Sequence, residues 1–268
     1  MATTINHKGI GALKKISDEE LERIARERIA RSIETVERTD PSVALVSKQI
    51  RDHVERDGFA VVRGLVLPEL VEALRERVFS AVTRGGLGRH RRGDASAFHL
   101  THVPPDLVTF ESRNFVTRLT GSRPFRALVD HVIKALRAVT GPAWLMQTEH
   151  GRWLRIGMPR GLNRRMPPHQ DIFYLPGAEK FMTVWVPLHR CPRDLGGLRV
   201  VPNSHVHGAF YHEGKQGIPV RGAALPWKRL EFEVGDAVVF HRQLVHASGI
   251  NRSSDQVRFS VDFRIGML

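Results

Sequence analysis

The chain of 268 residues contains a single cysteine, Cys191, and only 2 tyrosines. One cysteine excludes an intrachain disulfide and a zinc site built from several cysteines. No apolar run approaches the roughly 18 residues that a membrane-spanning helix needs, and the start of the chain shows no apolar core of a signal peptide. We therefore expect a cytoplasmic protein that does not associate with membranes.

Acidic residues are scarce beside basic ones, at 28 Asp and Glu against 41 Lys and Arg, which gives a net charge of +13. Such an excess can attract an anionic small molecule, membrane headgroups or nucleic acid, and it also fits a composition that is simply rich in arginine. The basic residues are scattered, and no basic stripe interleaved with aromatic residues of the kind that binds single strands is visible. The sequence therefore favours a small anionic partner over nucleic acid.

Residues 1–57 predict a helical extension, because Ser17 and Glu20 form a capping box ahead of apolar residues at helical spacing. A short strand at 59–62 follows, and Pro68 opens another amphipathic helix. The length and the hydrophobic fraction of 41% suit one folded domain with this extension.

From about residue 143 the pattern changes to short strands separated by Pro, Gly and Asn. The predicted strands are Trp144–Gln147, Trp153–Met158, Phe181–Leu188, Leu198–Val201, Ala237–His241 and Val257–Phe263. Many short strands at this spacing are typical of an antiparallel barrel or jelly roll. We therefore expect a mainly β chain in which residues 58–268 form one barrel domain with flanking helices.

His169 and Asp171 are separated by one residue and follow two prolines, which favour an extended backbone. In an extended segment alternate side chains point to the same side, so both residues can bind one metal ion while Gln170 points away. A His-x-Asp tripeptide alone is often a chance occurrence, but His246 downstream adds a second imidazole. Two histidines and one carboxylate hold Fe(II) on one face and leave the opposite positions open. The sequence therefore predicts His169, Asp171 and His246 as metal ligands.

Arg258 follows the second histidine after a loop at 249–255 that is rich in turn-forming residues. This pattern predicts a hairpin centred near Arg252 that sets His246 and Arg258 opposite each other. An arginine beside a metal is electrostatically unfavourable unless an anion lies between them. A 2-oxoacid fills that place, with one carboxylate on the metal and the other in a bidentate pair with Arg258.

Several segments together resemble the phytanoyl-CoA dioxygenase family of Fe(II)/2-oxoglutarate oxygenases. They are HQD at 169–171, GGLRVVPNSH at 196–205, GDAVVFHRQLVHASGIN at 235–251 with the trailing Arg258, and DGFAVVRGLVLPELVEALR at 57–75. The resemblance spans roughly residues 50–265. It implies a double-stranded β-helix core of the jelly-roll or cupin-like type, Fe(II) bound by the His-Asp-His set, 2-oxoglutarate bound by Arg258, and O2 as the oxidant.

The resemblance also implies roles for neighbouring residues. Trp185 matches the family's tryptophan beside the co-substrate, and Gln147 matches a further co-substrate contact. Arg264 is a second candidate for the role of Arg258. Related halogenases have a small residue at the position of Asp171, so the carboxylate implies hydroxylation or another oxidation rather than halogenation.

In this family loops like the one before the HQD segment surround the barrel mouth, so the resemblance implies substrate contacts by Arg160 and Arg164. His102, in a segment without a clear pattern, is a further candidate to line the substrate pocket. The expected reaction is the oxidation of a small, anionic metabolite or natural-product intermediate, with release of succinate and CO2. Two other classes stay open: a metal-dependent, non-oxidative cupin-type enzyme, and a basic, non-enzymatic barrel that binds nucleic acid. The sequence carries no signal for the oligomeric state.

Overall fold

The computed structural model describes residues 49–85, 89–90, 97–100, 118–140, 144–147, 151–162, 166–174, 181–213, 217–218 and 225–267. The longer helices are α1 (Gln49–Asp57), α2 (Pro68–Arg84) and α3 (Arg123–Thr140). The strands are β1 (Phe59–Val62), β2 (Arg89–His90), β3 (Phe98–His99), β4 (Trp144–Gln147), β5 (Trp153–Gly157), β6 (Phe181–Pro187), β7 (Leu198–Val200), β8 (Lys228–Arg229), β9 (Ala237–His241), β10 (His246–Ser248) and β11 (Gln256–Met267).

The strands form two antiparallel sheets. In the larger sheet β1, β9, β6 and β11 lie side by side, and β11 also pairs with β5, β4 and β3, with β2 beyond β3. The smaller sheet has the order β10-β7-β8, and His169 joins it through a bridge to His246. The two antiparallel sheets pack face to face through a shared apolar cluster, as in a double-stranded β-helix. The predicted fold class is confirmed.

The larger sheet is buried on both faces. Its inner face packs against the smaller sheet, where Trp185 and Phe240 share an apolar cluster with Val200. Its outer face packs against α2 and α3, and the rings of Phe125 and Phe263 meet there at 6.4 Å. Burial of apolar surface on both faces stabilises the sheet between these two layers.

Strand β11 shows this division residue by residue. Its odd-numbered residues from Val257 to Ile265 belong to the outer cluster. The even-numbered residues between them are polar and buried, namely Arg258, Ser260, Asp262 and Arg264. Because side chains alternate along a strand, these four face the barrel interior.

The predicted hairpin near Arg252 is wrong. Strand β10 pairs with β7 in the smaller sheet, whereas β11 pairs with β5 and β6 in the larger one. The loop between them crosses from one sheet to the other. Asn251 anchors this crossing, since its amide donates to the carbonyls of Gly157 and Gln256. His246 and Arg258 therefore do not face each other across a hairpin.

The other strand predictions differ from the structure by few residues, except that β11 extends past Phe263 to Met267. Of the predicted extension at 1–57, the structure describes only the part from Gln49, which is helical. The rest of that extension lies outside the described residues, and the division at residue 57 stays a prediction. Among the described helices, none combines the length and the apolar character that crossing a membrane demands.

Candidate metal centre

The three predicted metal donors meet inside the barrel. The backbones of His169 and His246 exchange two hydrogen bonds of 3.0 Å, and Asp171 opens a 3-10 turn directly after the bridge. Oδ1 of Asp171 lies 3.7 Å from Nε2 of each histidine. All three side chains are buried, and their donor atoms lie within 4.8 Å of one another. A single ion could contact all three.

Hydrogen bonds fix the orientation of both imidazoles. Nδ1 of His169 lies 2.7 Å from the carbonyl oxygen of Pro167, and Nδ1 of His246 lies 3.0 Å from that of Leu244. Each Nδ1–H donates to its carbonyl, which leaves the Nε2 lone pair free for a metal. Burial lowers the pKa of His169 to about 3, with a further contribution from the charge of His246. Burial also lowers the pKa of His246, so both rings are neutral ligands near neutral pH.

The second oxygen of Asp171 is held by the protein. Oδ2 accepts hydrogen bonds from the hydroxyl of Thr183 and, at 2.8 Å, from Nη2 of Arg264. Burial by itself would raise the pKa of Asp171, but Arg264, the two histidines and Thr183 hold it below its usual range. The carboxylate is therefore an anion that directs Oδ1 towards the imidazoles.

Arg264 continues into a chain of buried charges. Its Nη1 donates to Oδ1 of Asp262 at 2.8 Å, and Nε of Arg155 donates to Oδ2 of Asp262 at 2.7 Å. Sequence reasoning named Arg264 only as an alternative co-substrate residue and missed Arg155, Thr183 and Asp262. The alternation of polar and apolar residues along β11 was visible, but it does not show that the polar face points into a barrel.

The donors open onto a small pocket inside the barrel, with a cavity volume of about 20 Å³. Its lining residues are Arg155, Met166, His169, Asp171, Trp185, Leu198, Phe240, His246, Ser248, Asp262 and Arg264. Trp185, predicted to flank the co-substrate, lies in this wall, with its ring 4.8 Å from that of Phe232. The wall combines a charged side with an apolar side, as expected of a site for a small polar ligand.

Arg258 lies further along β11, opposite Gly157 of β5. It is buried, and its Nη1 donates to the hydroxyl of Ser260 at 2.7 Å. Within the described residues the cavity wall includes Arg264 but not Arg258. The structure thus places the alternative candidate beside the metal donors, and the first candidate six residues earlier on the same strand.

The remaining predicted site residues are less well placed or lie outside the description. Gln147 belongs to β4 and pairs with Ile265, and its side chain is not among the described residues. Arg160 is exposed in a 3-10 turn with a positive φ of 54°, and within the described residues it does not line the cavity. Arg164 and His102 fall outside the described residues.

Comparison with known proteins places this site in a family. The family model for phytanoyl-CoA dioxygenase (PhyH) matches residues 54–260. The peroxisomal phytanoyl-CoA dioxygenase of Mus musculus is 26% identical over 222 residues, covering 76% of this chain and 63% of that protein. The 1-deoxypentalenic acid 11-beta-hydroxylase of Streptomyces exfoliatus is 32% identical over 113 residues, which cover 37% and 40% of the two chains. The chain thus spans less than two thirds of these curated relatives.

Solved structures show the same fold. The epimerase SnoN in complex with Fe3+, alpha ketoglutarate and nogalamycin RO superposes with a TM-score of 0.59 at 18% identity, covering 82% of this chain and 83% of that one. EvdO2 from Micromonospora carbonacea var. aurantiaca, complexed with 2-oxoglutarate, gives 0.53 at 17% identity over 84% and 94% of the chains. With the family match across most of its length, the chain belongs to the phytanoyl-CoA dioxygenase family, whose members are Fe(II)- and 2-oxoglutarate-dependent oxygenases.

Proposed function

We propose that this protein is an Fe(II)- and 2-oxoglutarate-dependent dioxygenase that hydroxylates, or otherwise oxidises, a small anionic metabolite or natural-product intermediate. Succinate and CO2 are the co-products. The observation that carries the proposal is the convergence of two neutral imidazoles and one carboxylate on a single point in a buried cavity. When bound there, Fe(II) supplies a redox-active centre with positions open to a 2-oxoacid and O2.

The charges in the cavity wall support a dianionic co-substrate. Asp171 and Asp262 are balanced by Arg155 and Arg264, so the wall itself is neutral. A divalent metal ion adds two positive charges to a buried site, where uncompensated charge is costly. The carboxylate of 2-oxoglutarate beside the metal would offset part of this excess, and the distal carboxylate would be paired with an arginine of its own.

Arg258 and Ser260 are the proposed site for the distal carboxylate of 2-oxoglutarate. The guanidinium is buried on the inner face of β11, and the adjacent hydroxyl fixes one of its nitrogens. A buried, oriented guanidinium is suited to a charge-assisted pair with a carboxylate. Trp185, in the cavity wall nearer the metal donors, would pack against the carbon chain and exclude water.

The reaction type is proposed to be hydroxylation. The relative from Streptomyces exfoliatus is described as a hydroxylase, while structural neighbours include an epimerase and a carbocyclase. The net charge of +13 favours an anionic substrate. Arg160, in the turn after β5, is a candidate to meet it, together with Arg164 and His102.

The proposal is tested by succinate formation from 2-oxoglutarate in the iron-loaded enzyme, across a panel of small anionic substrates. Turnover should depend on Fe(II), fall to background in His169→Ala, and persist in the matched control His207→Ala, which alters an exposed histidine. Products should gain one oxygen atom or lose two hydrogens by intact mass. Absence of 2-oxoglutarate binding in the metal-loaded, anaerobic wild-type protein would reject the proposal.

A further inference from the structure

The two oxygens of Asp171 have different surroundings. Oδ1 is equidistant from the two Nε2 atoms, at 3.7 Å, whereas Oδ2 accepts hydrogen bonds from Thr183 and Arg264. We propose that Arg264, itself held by Asp262, is a positioning residue that restricts Asp171 to binding the metal through Oδ1 alone. This inference rests on the proposed metal site and concerns how that site keeps its coordination positions open.

The guanidinium of Arg264 has little freedom to turn. Nη1 donates to the carbonyl of Gly151 at 2.9 Å and to Asp262 at 2.8 Å, while Nη2 donates to Asp171 at 2.8 Å. The planar guanidinium presents its donors in a fixed fork, so the first two bonds determine where the third points. Gly151 also lies close to the side chain, since an added Cβ would come within 3.0 Å of Cδ of Arg264.

Asp262 is held from the opposite side. Arg155 of β5 binds its Oδ2 at 2.7 Å, and Arg264 binds its Oδ1. Charges of opposite sign therefore alternate along the series Arg155, Asp262, Arg264 and Asp171, of which the last three are buried. Removal of one member leaves its neighbour with one compensating charge fewer, which is unfavourable for a buried group. A substitution at Asp262 should thus alter metal binding by displacing Arg264, although Asp262 is not one of the metal donors.

For the metal, the consequence is that rotation of the Asp171 carboxylate is restricted. A carboxylate with both oxygens free can bind an ion through two oxygens and occupy a further coordination position. Two donors on Oδ2 oppose this rotation. Loss of such a partner behind a metal ligand typically weakens metal binding by about 10–100-fold.

The test is titration of the apoprotein with Co(II), followed by the visible absorption of the bound ion. Arg264→Met should weaken Co(II) binding by about 10–100-fold and alter the spectrum, and Arg264→Lys should recover part of the loss. Asp262→Asn should also weaken Co(II) binding and alter the spectrum. In a protein that already carries Arg264→Met, Asp262→Asn should have little further effect on either. The matched control Arg190→Met, in an exposed ion pair with Glu233, should match wild type.

Wild-type Co(II) affinity and spectrum in folded Arg264→Met would overturn the inference. If Arg264→Met does not fold, Thr183→Val is the second test, since it removes the other hydrogen-bond donor to Oδ2 of Asp171 and keeps almost the same side-chain shape. An unchanged Co(II) spectrum in Thr183→Val counts against the inference. Co(II) binding requires neither 2-oxoglutarate nor O2. A protein that shows these Co(II) effects but binds no 2-oxoglutarate therefore refutes the oxygenase function and not the positioning role.

Discussion

Gly157 leaves space for the guanidinium of Arg258. A Cβ added at residue 157 would lie 2.7 Å from Nε and 2.9 Å from Nη2 of Arg258, closer than unbonded atoms tolerate. The carbonyl of the same glycine accepts a hydrogen bond from Asn251, which anchors the crossing between the sheets. Gly157 therefore contributes twice: it leaves room for the side chain of Arg258, and its carbonyl holds Asn251 in the loop before β11.

Gly157→Ala should displace Arg258 and weaken 2-oxoglutarate binding by about tenfold or more, because overpacking a buried site costs about 1–3 kcal/mol. Co(II) affinity should stay near the wild-type value, since the metal donors are untouched. Anaerobic calorimetry with the metal-loaded protein measures both. Gly85→Ala is the matched control, at an exposed helix end with an ordinary φ of −76°. Unchanged 2-oxoglutarate affinity would remove Arg258 from the proposed co-substrate site.

The metal donors were accessible from the sequence because their residue types and spacing are themselves the signal. His169 and Asp171 are separated by one residue, and His246 follows a recognisable strand. Arg155 and Thr183 carry no such signal, since they become neighbours of the donors only through strand pairing with β11. Pairing between distant strands is decided by packing of the whole barrel and is not encoded locally.

At the scale of elements, turn-forming residues defined the strands well, because Gly, Pro and Asn end strands through local backbone geometry. The partner of each strand was harder to predict. Strands β10 and β11 are consecutive, yet they lie in different sheets. The outward residues of β11 have apolar partners on α2 and α3, whereas β10 turns His246 towards the inner cavity. The two consecutive strands therefore lie in different sheets because their side chains pack against different parts of the protein.

The end of β9 carries a pH-sensitive group, His241. Burial lowers its pKa to about 4, helped by the charges of His205 and Arg242, and its Nδ1 accepts a hydrogen bond of 3.1 Å from the backbone of Gln243. Because its ordinary pKa of 6.5 exceeds the value in the folded protein, the unfolded state binds the proton more readily. Its contribution to stability is complete above pH 6.5 and is lost as the pH falls through about 4.

His241→Gln should therefore flatten the loss of unfolding free energy between pH 6.5 and 4, since glutamine can still accept the bond from Gln243 but does not titrate there. Urea denaturation at a series of pH values measures the slope. His207→Gln, at an exposed histidine, should keep the wild-type slope. Equal slopes for wild type and His241→Gln would contradict the lowered pKa.

At the scale of the whole molecule, stability and chemistry occupy opposite faces of the larger sheet. On the outer face, Phe79 of α2 packs against Phe98 and Phe259, with ring centroids 5.1 and 5.4 Å apart. On the inner face lie the metal donors and the charged chain. The sequence predicted a barrel with flanking helices, but it did not show which helix covers which part of the sheet.

Phe79→Ala should lower the free energy of unfolding by about 3–5 kcal/mol, because it empties a fully buried ring position. The folded fraction should bind Co(II) as wild type does, since the outer face contributes no donor. Chemical denaturation and Co(II) titration of the same sample separate the two effects. Phe210→Ala, at a partly exposed ring, is the control and should cost far less. A large loss of Co(II) affinity in folded Phe79→Ala would show that the faces are coupled.

A metal ion bound by these donors would connect the two sheets. His169 and His246 belong to the smaller sheet, while Asp171 is anchored to β6 and β11 of the larger one through Thr183 and Arg264. Binding to the folded state alone adds about 1.4 kcal/mol to the free energy of unfolding for each tenfold rise in free metal above the dissociation constant. The melting temperature of the protein should therefore rise with the concentration of free metal ion, and the metal-free protein should unfold at a lower temperature.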